Sequence, residues 1–379
     1  MKIFTNITRE YLGGITTTNN ALLSFLINDK NEIVGLEFDT VRCMKGPIIL
    51  QKLDPRFFEH YILNIHDLPF KKIINTAKNL NDIKKYYLSA IKDIKDLMRK
   101  TSPNVILLNG TSYFPWLISI AAHELKIPIV LRYHGIYSVE MQYLHKKANE
   151  IILGIEKSFE KTVTAFIFPS NLCKNIVEKE IFKKQIKNGY VIPNPVQVPK
   201  ISSRSLAKRK IAMVARWLAI KNIDVFFQLH KILNEQGWKH SATFINEKAN
   251  TEMIPKTIKQ LTPMRYEELC DFYKSQGLIV APAYFETFGN VPMEAVCMGI
   301  PVLVSNNMGC AEILIAVGLE KMVIDFSDLA KVASRVKELC GQKILPKQLN
   351  ALKKILDNRL INTEINNVLI NTSKKVVNG

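Results

Sequence analysis

Short runs of apolar residues alternate along this chain with longer stretches in which apolar positions recur every three or four residues. The short runs predict β-strands, and the stretches of helical period predict amphipathic helices. The predicted strands have the sequences KIFTNI, EIVGLEF, NVILLNG, PIVLRYHG, AFIFPS, KIAMVARW, SATFINE, GLIVAPA and PVLVSN. Strands and helices that alternate in this way form a parallel sheet covered on both faces, so the pattern predicts an α/β protein.

The alternation of strands and helices occurs twice, on either side of a segment that carries three prolines. This segment, YVIPNPVQVPK at residues 190–200, has no helical period and is typical of a linker. The pattern therefore predicts two doubly wound, Rossmann-like domains that face each other across a cleft, with ligands at the carboxyl ends of the strands. We expect an N-terminal domain over residues 1–192 and a C-terminal domain over residues 198–350. A helix over about 352–379 has the spacing to pack back on the first domain.

The net charge of +18 is spread over both halves of the 379 residues. A dedicated nucleic-acid-binding protein more often concentrates its basic residues on one helix or arm, and the sequence has no zinc finger, RNP motif or basic zipper. Nucleic acid is therefore not an expected partner, although a basic nucleic-acid-binding protein stays open as an alternative class. Diffuse positive charge also suits anionic small molecules or an anionic membrane surface.

The apolar runs are much shorter than the roughly 18 to 20 residues that span a bilayer, and the first residues lack an apolar signal-peptide core. We expect a cytoplasmic protein, with peripheral association at the inner face of the membrane as a further expectation. The six cysteines are scattered without a CxxC pair, which indicates reduced and mostly buried thiols and neither a zinc site nor a disulfide framework.

Two carboxylates lie eight positions apart in the segment ETFGNVPME, residues 286–294. The surrounding pattern predicts a strand, a loop that holds Glu286, and a helix that begins near Pro292 with Glu294 in its first turn. The backbone N–H groups of residues 289–291 would then point out of the start of the helix and form an anion site suited to phosphate. Carboxylates on either side of a diphosphate could accept hydrogen bonds from hydroxyl-rich groups.

The segment ETFGNVPMEAVCMGIPV resembles the Glu-seven-residues-Glu motif of the retaining nucleotide-sugar glycosyltransferases of family four, which have the two-domain GT-B fold. The resemblance extends from about residue 2 to residue 345. It implies that Glu286 contacts the hydroxyls of the donor sugar and that Glu294 holds the ribose. It also implies that the turn between them binds the donor, through Phe288, Gly289, Asn290 and Val291.

Other segments resemble further motifs of the same family. ARWLAIKN is similar to the segment whose Arg and Lys neutralise the donor diphosphate, which implies this role for Arg216 and Lys221. YLGGITTTNN resembles the double-glycine loop, in which Gly13 and Gly14 would let the backbone approach the diphosphate before a helix that begins at about Thr16. LRYHG resembles the strand end that places a histidine, His134, at the reacting face, and NMGCAEIL resembles the short glycine loop after the next strand. The resemblance implies that the N-terminal domain binds the acceptor and that the C-terminal domain binds the nucleotide-sugar donor.

The sequence also departs from the family pattern. The usual Pro-Asn-Gly-Val-Asp reads PNPVQ, the Pro-Ser before the first motif Glu reads Pro282-Ala283, and Ala215 replaces a glycine before Arg216. Residues 245–258 lack the glycine-rich loop that commonly follows the second strand. These differences concern recognition of the base, so the donor stays open between a UDP-sugar and a GDP-sugar.

The chemistry of glycosyl transfer requires a diphosphate to leave with developing negative charge, and fixed positive groups at that oxygen are the main catalytic device. The chain has no Asp-x-Asp pair to hold a metal, so we expect Arg216, Lys221 and the helix start to replace the ion, with neither metal nor cofactor. The resemblance then implies a retaining hexosyltransferase with His134, Arg216, Lys221 and Glu286 as catalytic residues. The acceptor would be a glycan or lipid-linked hydroxyl in bacterial surface polysaccharide synthesis. An inverting GT-B transferase and a catalytically dead nucleotide-sugar binder stay open as alternatives.

Overall fold

The computed structural model describes residues 1–7, 14–39, 49–54, 58–64, 74, 77–141, 146–196, 209–247 and 251–374. The chain divides into two compact units. Unit 1 comprises Met1–Ile192 and Arg359–Gly379, and unit 2 comprises Pro193–Asn358.

Unit 1 is built on an eight-stranded sheet. Its strands are β1 (Lys2–Asn6), β2 (Glu32–Asp39), β3 (Ile49–Asp54), β4 (Phe58–Asn64), β5 (Val105–Asn109), β6 (Ile129–Arg132), β7 (Ala165–Phe168) and β8 (Gly189–Val191). They lie in the order β3-β4-β2-β1-β5-β6-β7-β8. Only β3 runs antiparallel to its neighbour, so the remaining strands all have their carboxyl ends at one edge.

Helices connect the strands of unit 1. They are α1 (Gly14–Asn28), α2 (Leu80–Tyr86), α3 (Leu88–Thr101), α4 (Tyr113–Glu124), α5 (Tyr137–Met141), α6 (Lys146–Thr162) and α7 (Asn171–Ile176), which continues into a π-helical turn at Val177–Phe182. The first helix begins at Gly14, two residues before the expected start at Thr16. Gly13 and the rest of the predicted double-glycine loop lie outside the described residues.

Unit 2 is built on a six-stranded parallel sheet. Its strands are β9 (Lys210–Val214), β10 (Ser241–Ile245), β11 (Ile258–Leu261), β12 (Leu278–Ala281), β13 (Val302–Ser305) and β14 (Val323–Ile324). The order is β11-β10-β9-β12-β13-β14, in which the first strand of the unit lies at the centre between the second and the fourth. This is the doubly wound Rossmann order, and its direction reverses between β9 and β12, where ligands bind in such folds.

Helices connect the strands of unit 2. They are α8 (Ile223–Glu235), α9 (Tyr266–Lys274), α10 (Asn290–Cys297), α11 (Cys310–Ala316), α12 (Leu329–Leu339) and α13 (Pro346–Ile355), with short 3-10 turns at Ala219–Lys221, Thr251–Met253 and Glu320–Met322. The two ends of the unit are close together, because the backbone N–H of Val196 donates to the carbonyl of Leu356 at 3.3 Å.

The last helix, α14 (Asn358–Lys374), returns to unit 1. Its apolar face includes Ile365 and Leu369, which are buried in one cluster with Leu22 and Leu26 of α1. The amide of Asn366 also donates to the carboxylate of Asp29 at 2.6 Å. None of the described helices is both long enough and apolar enough to span a bilayer.

The predicted α/β class with two Rossmann-like parallel sheets is confirmed. All nine predicted strands are present. The sequence pattern did not indicate β3, β4, β8, β11 or β14, and the first residues of the predicted linker, Tyr190 and Val191, belong to β8.

Candidate active site

Two loops at the carboxyl edge of the unit 2 sheet are joined by backbone hydrogen bonds. The N–H of Glu286 donates to the carbonyl of Asn307 at 3.2 Å, and the N–H of Gly309 donates back to the carbonyl of Glu286 at 3.0 Å. A third bond of 2.7 Å runs from the N–H of Cys310 to the carbonyl of Phe288. The segment that carries the first motif glutamate is therefore fixed to the loop after β13.

Gly289 makes the turn into α10 possible. Its φ of 104° is in the left-handed region, and a Cβ atom there would lie 2.8 Å from Met308 Cε and 2.9 Å from Cys310 Sγ. The backbone angle therefore requires glycine at this position, and a Cβ would in addition displace the ends of these two side chains. Phe288, expected to bind the donor, lies beside it with 2% of its surface exposed, packed in the core of unit 2.

Helix α10 begins at Asn290, so the expected start near Pro292 was wrong by two residues. The backbone N–H groups of Asn290 and Val291 precede the first intrahelical bond, which Met293 makes to Gly289. These are the orphan donors that every helix start presents to an anion. The Asn290 side chain accepts a hydrogen bond from Asn194 at 3.1 Å, which fixes the helix start to the segment that enters unit 2.

Lys221 lies at the end of the 3-10 turn that follows β9. The next residue, Asn222, has a φ of 55° and donates its side-chain N–H to the carbonyl of Pro282 at 3.1 Å, which ties this turn to the loop after β12. The Lys221 ammonium forms an ion pair with Oε1 of Glu286. The two side chains are only 17% and 25% exposed, so the pair is partly shielded from water.

Arg216 lies in the same loop, two residues after the end of β9, and its side chain is exposed. It makes no ion pair with any residue that the structure describes. The structure thus brings Lys221 and Glu286 into contact, whereas Arg216 stays in the solvent above the strand end.

Glu294 is the fifth residue of α10, so its expected place in the first helical turn was wrong. The hydroxyl of Tyr273 donates to its Oε2 at 3.4 Å. Burial raises the pKa of the Glu294 carboxyl to about 7, because the charged form loses its hydration. The neutral form of this carboxyl therefore persists to a much higher pH than that of an exposed glutamate.

His134 follows β6 at the carboxyl edge of the unit 1 sheet. Its Nε2 lies 3.4 Å from Oδ1 of Asn109, the last residue of β5. Asn109 is in turn fixed to Asn6, the last residue of β1, by bonds of 2.9 and 2.8 Å in opposite directions. Burial and the charge of Arg132 hold the pKa of His134 well below its ordinary value, so the imidazole is neutral at physiological pH.

The sequence pattern did not indicate a role for Asn6, Asn109, Asn194, Asn222 or Tyr273. A usable signal existed for Asn6 and Asn109, since each follows an apolar run at the end of a strand whose carboxyl edge was expected to bind ligands. No comparable signal marks Tyr273. Over the described ranges, no group of three or more His, Cys, Asp or Glu side chains is placed to hold a metal ion.

Two family models match adjacent parts of the chain. The model "Glycosyl transferases group 1" matches residues 197–355, and the model "Glycosyltransferase Family 4" matches residues 52–199. The first match contains every predicted site residue of unit 2, and the second contains His134.

Among individual relatives, the chain is 30% identical over 100 residues to D-inositol 3-phosphate glycosyltransferase 1 of Catenulispora acidiphila, which is 26% of this chain and 23% of that protein. It is 35% identical over 86 residues to D-inositol 3-phosphate glycosyltransferase of Corynebacterium efficiens, 23% of this chain and 20% of that protein. The chain thus spans less than a quarter of the length of these relatives. It is also 24% identical over 278 residues to an uncharacterised 41.2 kDa protein in the cps region of Klebsiella pneumoniae, covering 68% of this chain and 74% of that one.

Similar solved structures cover nearly the whole chain. Sucrose-phosphate synthase from Thermosynechococcus elongatus has a TM-score of 0.75 at 14% identity, over 97% of this chain and 98% of that one. WaaG, a glycosyltransferase involved in lipopolysaccharide biosynthesis, has a TM-score of 0.67 at 11% identity, over 97% and 99%. At such low identity these likenesses show the fold, and the two family models together show that the chain belongs to glycosyltransferase family four.

Proposed function

We propose that this protein transfers a hexosyl group from a UDP- or GDP-sugar to a hydroxyl acceptor, with retention of the anomeric configuration. The observation that carries the proposal is the contact between Lys221 and Glu286 at the point where the strand order of unit 2 reverses, beside the start of α10. A cation, a carboxylate and unbonded backbone N–H groups at one strand edge match the phosphate and the hydroxyls of a nucleotide sugar.

The proposal divides the donor among these groups. The diphosphate lies at Arg216, Lys221 and the N–H groups of Asn290 and Val291, and Gly13 and Gly14 allow a further backbone approach. Glu286 accepts hydrogen bonds from the sugar hydroxyls, and Glu294 accepts them from the ribose. Gly289 holds the turn, and Phe288 supports it from the core.

No metal and no cofactor is needed in this proposal. The bond between the anomeric carbon and the diphosphate oxygen breaks, the acceptor oxygen forms the new bond on the same face, and the acceptor proton passes to the leaving diphosphate. Arg216 and Lys221 compensate the negative charge that develops on that diphosphate.

His134 is proposed to hydrogen-bond the donor sugar or the acceptor at the reacting face. Its lowered pKa makes the imidazole a weak proton acceptor, which favours this role over the general base that the inverting alternative would need.

We also propose that the acceptor is a lipid-linked or membrane-proximal glycan in bacterial surface polysaccharide synthesis. The supporting observations are the similarity to a protein in the cps region of Klebsiella pneumoniae and the net charge of +18, which favours an anionic membrane. Sedimentation with anionic vesicles tests the membrane part, and no binding even at low salt would contradict it.

A thermal-shift screen of nucleotides, followed by a transfer assay, tests the proposal as a whole. A correct donor at about 100 times its dissociation constant should add about 2.7 kcal/mol to the free energy of unfolding. Transfer with retained configuration supports the proposal, inversion supports the inverting alternative, and binding without transfer supports the dead binder. Strongly salt-dependent binding to nucleic acid, with no response to nucleotide sugars, would support the remaining alternative class.

A further inference from the structure

A carboxylate is buried in unit 1 at the loops that carry the reacting face. Glu156, on α6, is 0% exposed and makes no ion pair with any described residue. Instead both carboxylate oxygens accept hydrogen bonds. Oε1 accepts from the Thr111 hydroxyl at 2.7 Å and from the backbone N–H of Tyr137 at 2.6 Å. Oε2 accepts from the backbone N–H of Ser138 at 3.2 Å and from the Ser138 hydroxyl.

The groups that donate to Glu156 come from the loop after β5 and from the start of α5. Thr111 lies two residues after Asn109, in the loop that follows β5, and its hydroxyl is also 3.5 Å from the carbonyl of Gly135. Tyr137 and Ser138 follow His134 by three and four residues and are the first two residues of α5, the helix after β6. One carboxylate therefore bonds both to the loop that follows Asn109 and to the helix start that follows His134, and these two residues lie 3.4 Å apart, from Asn109 Oδ1 to His134 Nε2.

We propose that Glu156 is a positioning residue for glycosyl transfer, which fixes His134 by joining the loop after β5 to the start of α5. This inference rests on the proposed role of His134. A buried carboxylate without a cation is costly, and it persists only where several donors satisfy it. Burial raises the pKa of Glu156, and the hydrogen bonds from Ser138, Thr111 and Tyr137 oppose that shift.

The hydrogen bonds require an acceptor at both oxygen positions of the Glu156 side chain, Oε1 and Oε2. In Glu156→Gln the new NH₂ must replace either Oε1 or Oε2, and each of these faces a backbone N–H, from Tyr137 or from Ser138. The hydroxyls can rotate, but a backbone N–H cannot become an acceptor. Whichever way the amide turns, two donors oppose each other and the loop after His134 has to move.

The test compares Glu156→Gln with Thr164→Val in the full-length protein. Thr164 accepts the N–H of Ile129 at 3.1 Å, at the amino end of the same strand β6, so its loss weakens the fold of unit 1 without touching the loops at the reacting face. We expect Glu156→Gln to lower kcat by about 10- to 100-fold, as a misplaced reacting group does, with the KM for the donor unchanged within about twofold. Glu156→Asp, which keeps oxygens on both sides, should recover part of the loss. Thr164→Val should keep the wild-type kcat at temperatures well below its Tm.

Hydrogen exchange of the backbone amides of residues 135–138 provides a readout that needs no substrate. We expect exchange about tenfold faster in Glu156→Gln than in Thr164→Val. The inference would be overturned if Glu156→Gln and Thr164→Val exchanged at equal rates. Equal kcat values in the two variants, at an equal loss of Tm, would overturn it as well. If Glu156→Gln does not fold, the double variant Thr111→Val/Ser138→Ala, which removes both hydroxyl donors, decides by the same measurements. If the wild-type protein transfers no sugar but residues 135–138 still exchange faster in Glu156→Gln, the result counts against the proposed function and leaves the positioning role of Glu156 standing.

Discussion

The ammonium of Lys221 and the carboxylate of Glu286 form an ion pair that joins the turn after β9 to the loop after β12. We propose that both side chains bind parts of a nucleotide sugar, so contacts to its phosphate and hydroxyl groups compete with this ion pair.

Removing either proposed diphosphate cation should slow transfer strongly. We expect Arg216→Ala and Lys221→Ala each to lower kcat by about 10²- to 10³-fold, because the charges act most on the departing phosphate. The two variants should differ in stability. Arg216→Ala should change the free energy of unfolding by less than about 0.5 kcal/mol, whereas Lys221→Ala leaves the partly buried Glu286 unpaired and should cost about 1 to 2 kcal/mol.

Kinetics and urea unfolding of both variants and of Lys221→Ala/Glu286→Gln check this prediction. The double variant should recover stability but not activity, since it removes the uncompensated carboxylate and still lacks the cation. A stable double variant with near-normal turnover would show that the diphosphate binds elsewhere.

Glu286 should weaken the binding of the nucleoside diphosphate product. UDP or GDP offers phosphates to Lys221 but no sugar hydroxyls to Glu286, so the carboxylate competes with the product for the cation. In Glu286→Gln we expect these diphosphates to bind about 3- to 10-fold more tightly. This factor corresponds to about 0.7 to 1.4 kcal/mol, the energy of the ion pair that the product no longer has to break. Titration calorimetry measures the dissociation constants of UDP and GDP. The control is Glu267→Gln, which removes the same charge from an exposed position on α9. Unchanged or weaker binding would contradict the prediction.

Glu294 should make stability depend on pH near neutrality. Its pKa is raised from 4.5 to about 7 in the folded protein, so the unfolded chain binds fewer protons between these values and this group's contribution to stability falls as pH rises through that window. Glu294→Gln should therefore be more stable than the wild type above pH 7 and similar to it near pH 4.5. Urea unfolding from pH 4.5 to 8 measures the difference, and parallel curves for the two proteins would refute it.

A histidine pair in unit 2 should have the opposite effect at acid pH. His230 Nδ1 lies 2.9 Å from His240 Nε2, and burial lowers the pKa of both. The unfolded chain then binds more protons below about pH 6.5, so the contribution of the pair is complete above that pH and is lost as pH falls toward the lowered pKa values. In His240→Gln the decline of Tm between pH 7 and 5 should be shallower than in the wild type. The exposed His123→Gln is the control, and an unchanged slope in His240→Gln would argue against the prediction.

Turnover should not depend on a divalent metal, because Arg216, Lys221 and the start of α10 supply the positive charge in the proposed reaction. Excess EDTA should leave the rate within about twofold. Loss of activity that Mg²⁺ or Mn²⁺ restores would mean that a metal stabilises the leaving group instead.

The sequence predicted the buried central strands well, because each is a continuous apolar run between loops. It missed β4, where the run is interrupted by His60, a residue that is 1% exposed and hydrogen-bonded to Glu37 of β2 at 3.0 Å. Two polar side chains that hydrogen-bond to each other inside a sheet interrupt the apolar run by which a buried strand is recognised in the sequence. The Lys221–Glu286 contact was also beyond the sequence, since it spans 65 residues and arises because β9 and β12 are neighbours in the sheet.

Unit 2 is an insertion within unit 1, because the chain leaves unit 1 after Ile192 and returns to it at Arg359, and this affects the order in which the protein can fold. During synthesis all of unit 2 leaves the ribosome before α14, so the C-terminal unit is complete while the N-terminal one still lacks a helix of its core. A chain that stops at residue 358 would expose Leu22 and Leu26 in unit 1 and leave unit 2 intact. Because its ends meet, unit 2 is also the part of the molecule that could be cut out and produced alone.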